Sequence, residues 1–353
     1  MANVNIRKPR FYVDRLNYLL TRGVTNTQFY LNSSSGQLNT MTTGTVAELF
    51  DMRPLNQVVF DTTNNRNEHV VLTLDQNFGS YVTNFVAILN HNMTSSNAKV
   101  TIAHDSSTES DVQATDFGSA TAIASVSEVL DADTISSNTI TPASDGHTII
   151  TFTNFSSRYI GIQFEGTVND ADDGGSGAFF DANNNLSIGC ILVGEYYDMP
   201  VSPDLSVKRN IVFDGQDAQE SIGGQRYSTL SNYGKSLLST TNKSPFQTYT
   251  GDNKRGLYGG RMTYDMKFSY LNSSDVMPST YNVQTQADNT VVNDVWNMTH
   301  GGHIPFIFTQ DGSSVGNNAE SDYLFARFAQ KGLSMTQVAP DVFDVSMKIE
   351  EEF

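Results

Sequence analysis

Residues 158–166, RYIGIQFEG, set Ile160, Ile162 and Phe164 at every second position, with small or polar residues between them. A strand turns successive side chains to opposite faces, so this alternation describes a β-strand with one buried face. The same reading extends outward. HVVLTLD (69–75) alternates through Val70, Leu72 and Leu74, and YVTNFVAILN (81–90), NAKVTIAHD (97–105), HTIITFTNF (147–155) and LSIGCILVGEYY (186–197) are further strands. The polar stretches between them, STESDVQATDFGS (107–119) and DADTISSNTITPASDG (131–146), are expected to be surface loops. Several strands with turn signals between them predict an antiparallel jelly-roll β-sandwich over residues 66–200.

The rest of the chain divides around this unit. Two prolines in MPVSPDL (199–205) mark a boundary. Beyond it, 201–353 is expected to form a second β domain. Its strands are VKRNIVF, RMTYDMKFSYL, HIPFIFTQD, DYLFARFAQ and the closing DVFDVSMKIEEEF. In the last of these Val345, Met347 and Ile349 form an apolar face opposite Asp344, Ser346, Lys348 and Glu350, and the strand is expected to join the one around Met266 and Phe268. TVVNDVWNMTH (290–300), stopped by Gly301-Gly302, is expected to be the one short helix. Residues 1–65 read as an N-terminal arm. Its Phe11, Tyr12, Leu16, Tyr18, Leu19 and Leu20 would bury little alone, and pack on another domain or another subunit, or else in a core within this chain.

Composition narrows the function classes. Charged residues are 17% of the chain, and 38 Asp and Glu against 21 Lys and Arg give a net charge of −17. Such an excess of negative charge disfavours phosphate backbones and anionic membrane surfaces, so no nucleic-acid partner is expected. No apolar run approaches the ~20 residues of a membrane span, and a chain soluble where it is made is expected. The one cysteine, Cys190, is expected to be a buried, unreactive residue facing the sandwich core beside Ile188, Ile191 and Leu192.

Chemistry-bearing motifs are scarce. There is no phosphate-binding glycine loop, no zinc-protease pair and no nucleophile elbow, and no catalytic role or cofactor is expected. His300 and His303 could hold a transition ion, though the glycines between them also suit a helix stop. The loop VNDADDGGSGAFFDANNN (168–185) offers Asp170, Asp172, Asp173 and Asp181 as calcium candidates, against the plainer reading of a solvated acidic loop. Tyr227, Tyr233, Tyr249 and Tyr258 sit in a polar, glycine-studded stretch and are candidate interface residues.

The order and texture of LSVKRNIVFDG, SIGGQRYS, GGRMTYDMKFSYL, HIPFIF and DYLFARFAQKGLSMTQVAPDVFDVSMKIEE resemble the minor structural proteins of bacteriophage tails. The resemblance implies a tail-tube-like domain at the C-terminus, and 68–197 looks like a galactose-binding-type jelly roll. In distal tail proteins the tube-like domain usually comes first, whereas here it follows the jelly roll. What the resemblance implies is a subunit of the virion's tail tip or baseplate that assembles with copies of itself and with neighbouring virion proteins. The alternative is a receptor-recognition or decoration protein that binds host-surface glycan through loops 105–119, 131–147 and 169–185. A glycoside-cleaving tail enzyme is a third reading, and would need two carboxylates facing each other in a groove.

Overall fold

The computed structural model describes residues 7–21, 28–76, 82–168, 178–212, 216–230, 261–278, 289–316, 319 and 322–352. The fold is mainly β and antiparallel. One sheet of seven strands runs Thr134–Ser136, Thr139–Thr141, Ala98–Asp105, Tyr159–Gly166, Val70–Asp75, Gln28–Leu31, with Thr121–Ala122 added beside Ala98–Asp105. It packs on part of an eleven-stranded sheet, and Val70, Leu72, Leu74, Val100, Ile102, Ile160, Ile162 and Phe164 fill the space between them together with Val86, Ile88, Ile150, Ile191 and Val193. The alternation at Ile160, Ile162 and Phe164 therefore marks the core face, as expected.

The eleven-stranded sheet extends far beyond the sandwich. From Ser127–Leu130 it passes through Gly146–Phe155, Thr83–His91, Cys190–Asp198, Arg10–Asp14, Phe306–Thr309, Tyr323–Phe328, Val342–Glu351 and Arg261–Asn272 to Lys208–Val212, with Ser334–Ala339 also pairing with Val342–Glu351. Its opposite face bears a second core. The run FVAIL in Thr83–His91 reads as continuously apolar because both its faces are buried: Val86 and Ile88 point into the sandwich, Phe85, Ala87 and Leu89 into the second core. Cys190 is fully buried, but it too belongs to the second core, with Leu192, while Ile188 and Ile191 face the sandwich. The strand assignment stands and the face expected for the cysteine is corrected. Burial pushes the thiol's pKa far up.

Arg10–Asp14 lies between strands about 180 and 300 residues away in sequence, pairing Phe11 with Tyr197 on one side and with Phe308 on the other. Phe11 and Tyr12 are fully buried, and Leu16, Tyr18 and Leu19 of the following helix Arg15–Thr21 are buried too, while Leu20 is exposed. Of the two readings of this apolar cluster, packing on the chain's own core is the one the fold adopts. Gly194 makes the close approach possible, since a Cβ there would lie 2.1 Å from the carbonyl oxygen of Val13.

The C-terminal strand pairs with Arg261–Asn272, matching Met347 to Met266 and Val345 to Phe268, and Val345, Met347 and Ile349 are fully buried. The segment expected as the helix is a π-helical turn, Val291–Asn297, whose N-terminal Thr290 hydroxyl accepts from Asn293 N–H at 3.2 Å. His300 and Gly301 end it with left-handed backbone at φ +48° and +64°. Short helical turns also form at Val46–Phe50, Glu109–Gln113 and Ser273–Val276, more than the single helix expected.

Two stretches expected as free loops are built into the sandwich instead. In 107–119, Val112 and Phe117 are buried against the outer face of the seven-stranded sheet, where Gly161 leaves room for the Phe117 ring. In 131–146, Thr134–Ser136 and Thr139–Thr141 pair as a hairpin that extends the same sheet, with Ile140 in the core. The isolated apolar residues in each polar stretch were the signal, since one or two anchors suffice to dock a short segment.

Candidate functional site

The seam between the sandwich and the C-terminal half carries a cleft of about 620 Å³. One wall is the turn 51–56, held in place by its own side chains. The Asp51 carboxylate accepts from Arg53 N–H at 2.8 Å and from the Asn56 amide at 3.3 Å. The carbonyl of Pro54 accepts from the Asn90 amide at 2.8 Å, which ties the turn to strand Thr83–His91. The facing wall is His303, Ile304 and Pro305, just after the π-helical turn, with Arg327 and Glu352 beside them. Arg327 donates to the carbonyl of His303 and pairs through Nε with Glu352 at 3.0 Å. Asn17 completes the lining; its amide donates to the Phe50 carbonyl and to Asp14. Apolar walls of Met52, Pro54, Leu55, Ile304 and Pro305 thus meet a few fixed polar groups, in the size range and at the kind of internal boundary where ligand sites form.

Beneath the seam lies a buried charged cluster. Arg15 pairs with Glu195 at 2.5 Å and lies 3.8 Å from Asp294, while Asp14 accepts from Asn17 N–H and Val193 N–H. Burial raises the pKa of Asp14 and Glu195 above the usual carboxylate range, with Arg15 opposing the shift at Glu195.

The candidates named from sequence fall elsewhere. Asp170, Asp172 and Asp173 lie outside the described residues. Asp181 is described, and its Oδ1 is already occupied by Asn183 N–H, Asn184 N–H and the Asn184 amide, so it acts as the anchor of a turn. Tyr233, Tyr249 and Tyr258 also lie outside the described residues, and only the backbone of Tyr227 is described, paired with Gln219. His300 stacks on Tyr18 with ring centroids 5.2 Å apart, whereas His303 lines the cleft.

Among the described residues, His69, Asp116 and Glu165 bring ligand-type atoms within 4.8 Å of one another. The surrounding hydrogen bonds work against a metal there. Gln163 accepts from Asp116 N–H at 3.0 Å, which turns its NH₂ toward His69 Nδ1 at 2.8 Å, so the imidazole keeps its proton on Nε2. Glu165 is paired with Lys99 at 3.2 Å.

A second feature lies at the far end of the large sheet. Lys208–Val212 pairs only with Arg261–Asn272 among the described residues, and all five of its residues are exposed, including Ile211 at 61%. It leads toward a two-stranded ribbon, Gln216–Glu220 with Arg226–Leu230, which pairs with nothing else among the described residues and exposes Ile222 fully in its turn. Ser334–Ala339, paired only with the C-terminal strand among the described residues, is likewise exposed throughout.

No protein-family model matches the chain, and no curated protein matches it by sequence. Among the solved structures similar to part of it are two carbohydrate-binding modules. A chitosan-binding module from a chitosanase/glucanase of Paenibacillus sp. IK-5 is 13% identical with a TM-score of 0.30, the match covering 48% of this chain and 96% of that module. A pectin-binding carbohydrate-binding module is 14% identical with a TM-score of 0.27, over 45% of this chain and 91% of that one.

Proposed function

We propose that the chain is a non-catalytic recognition protein that binds a cell-surface glycan. The observation that carries this reading is the seam cleft. A sugar ring has an apolar C–H face and a rim of hydroxyls; Pro54, Leu55, Ile304 and Pro305 suit the first, and Asp51, Asn56, Asn17 and Glu352 suit the second. The loops first expected to contact glycan give less support, because 107–119 and 131–146 are engaged with the chain's own sheet. Purified protein on a panel of surface glycans is expected to bind a subset, and Leu55→Trp, which fills the cleft, to abolish that binding with the melting temperature unchanged. Failure to bind any glycan would overturn the proposal.

A second reading, a structural subunit of a phage tail tip or baseplate, is favoured by the exposed sheet edge and its ribbon. A two-stranded ribbon alone is marginally stable in water, and an exposed strand is a template for pairing with another chain. A neighbouring copy would supply a further strand to both, and the two readings are compatible in a virion protein that assembles at one end and recognises at the other. Light scattering with negative-stain imaging is expected to show closed rings. A monomer at high protein concentration would sink this second reading and leave the first intact.

A further inference from the structure

Resting on the glycan reading, we infer that the cleft selects sugars that carry a carboxylate, with Arg53 as the residue that recognises it. The inference follows from which charges in the cleft are already satisfied. Asp51 keeps its negative charge, but both of its oxygens already accept hydrogen bonds, from Arg53 N–H and from the Asn56 amide. Glu352 is paired with Arg327, whose Nη1 is in turn given to the carbonyl of His303. The guanidinium of Arg53 makes no hydrogen bond or ion pair among the described residues, since only its backbone N–H is engaged. The uncommitted side-chain donors at the cleft are therefore the His303 ring and this guanidinium, and the guanidinium is the permanent cation, with five donors in a planar fork.

In a chain of net charge −17, most surfaces repel an anion, so a free guanidinium at the mouth of a concave site discriminates where the bulk surface does not. A sugar carboxylate is planar, presents two acceptor oxygens, and takes two parallel N–H donors. Its ring would lie along Leu55 and Pro54 on the same turn as Arg53, facing Ile304 and Pro305 across the cleft. Neutral sugars would satisfy the walls and leave the guanidinium hydrated.

Titration of the full chain with trigalacturonate and with its methyl ester tests the charge alone, because the two trimers share ring and hydroxyl stereochemistry. The acid is expected to bind roughly tenfold tighter or more than the ester. Arg53→Gln is expected to erase that difference without shifting the melting temperature, and Leu55→Trp to abolish binding of both. Equal affinity for acid and ester overturns the inference, as does an acid preference that survives both substitutions. A sulfated trimer that binds as tightly as the acid also overturns it, in favour of anions in general. If neither trimer binds while the glycan panel yields a ligand, the inference falls and the glycan reading stands. If the panel yields nothing either, both fall.

Discussion

Phe11→Ala is expected to lower stability by about 3–5 kcal/mol, the cost of emptying a fully buried aromatic site, and to split one unfolding transition into two. Phe11 is inaccessible to solvent, and its ring packs against Phe306, Phe308 and Phe328 at centroid distances of 5.6, 5.2 and 6.1 Å. The strand that carries it joins Cys190–Asp198 to Phe306–Thr309 and so makes one sheet of the two halves. Weakening that strand loosens the second core, to which both halves contribute, and leaves intact the sandwich core, which Phe11, Tyr12 and Val13 do not enter. Gly194→Ala attacks the same junction from the other strand, because its Cβ would meet the Val13 carbonyl. Urea unfolding followed by tyrosine fluorescence and by circular dichroism is the measurement, with Leu20→Ala, at an exposed position, as the control. A single transition shifted by no more than in the Leu20 variant would show that the seam does not couple the halves.

The sandwich was legible because its strands bury one face and expose the other, and period-two alternation at Val70, Leu72 and Leu74 or at Ile160, Ile162 and Phe164 reports that directly. The pairing of Val345 and Met347 with Phe268 and Met266 was legible for the same reason. The role of Phe11, Tyr12 and Val13 was not. A short strand buried on both faces has no alternation, and its partners around Tyr197 and Phe308 are set by the tertiary fold. The cleft was hidden in the same way, since turn 51–56 meets 303–305, Arg327 and Glu352 only after the large sheet closes the distance between them. His303 drew notice as half of a possible metal pair, yet its partner His300 stacks on Tyr18 because the turn ending the π-helical segment points the two rings to different surroundings. Lys208–Val212 was visible as a strand but not as the last strand of the sheet among the described residues, because nothing local in KRNIV says on which side it pairs.

Acidification is expected to remove on the order of 4–5 kcal/mol of stability through one side chain, at about 1.4 kcal/mol per pKa unit. His147 is buried in strand Gly146–Phe155 and accepts from Asn90 N–H through Nδ1 at 3.1 Å, which leaves the ring proton on Nε2, buried and without a hydrogen-bond partner among the described residues. Desolvation, and after it the neighbouring His91, lower its pKa from 6.5 to about 3. The folded state resists charging this ring and the unfolded state does not. The stability that neutral His147 supports is therefore fully present above pH 6.5 and is lost progressively as pH falls toward 3. Asp14 and Glu195 act in the opposite sense: their raised folded-state pKa values favour the fold while they are protonated, a contribution lost as pH rises through those values, so they offset part of the loss at the acid end. His147→Asn separates the two effects, because the Asn Oδ1 can take the Asn90 N–H and cannot acquire charge. Urea midpoints measured from pH 7 to pH 3 are expected to fall steeply for the native chain and much less for the variant. Parallel curves would mean that the acid sensitivity comes from some other group and that the buried imidazole carries none of it.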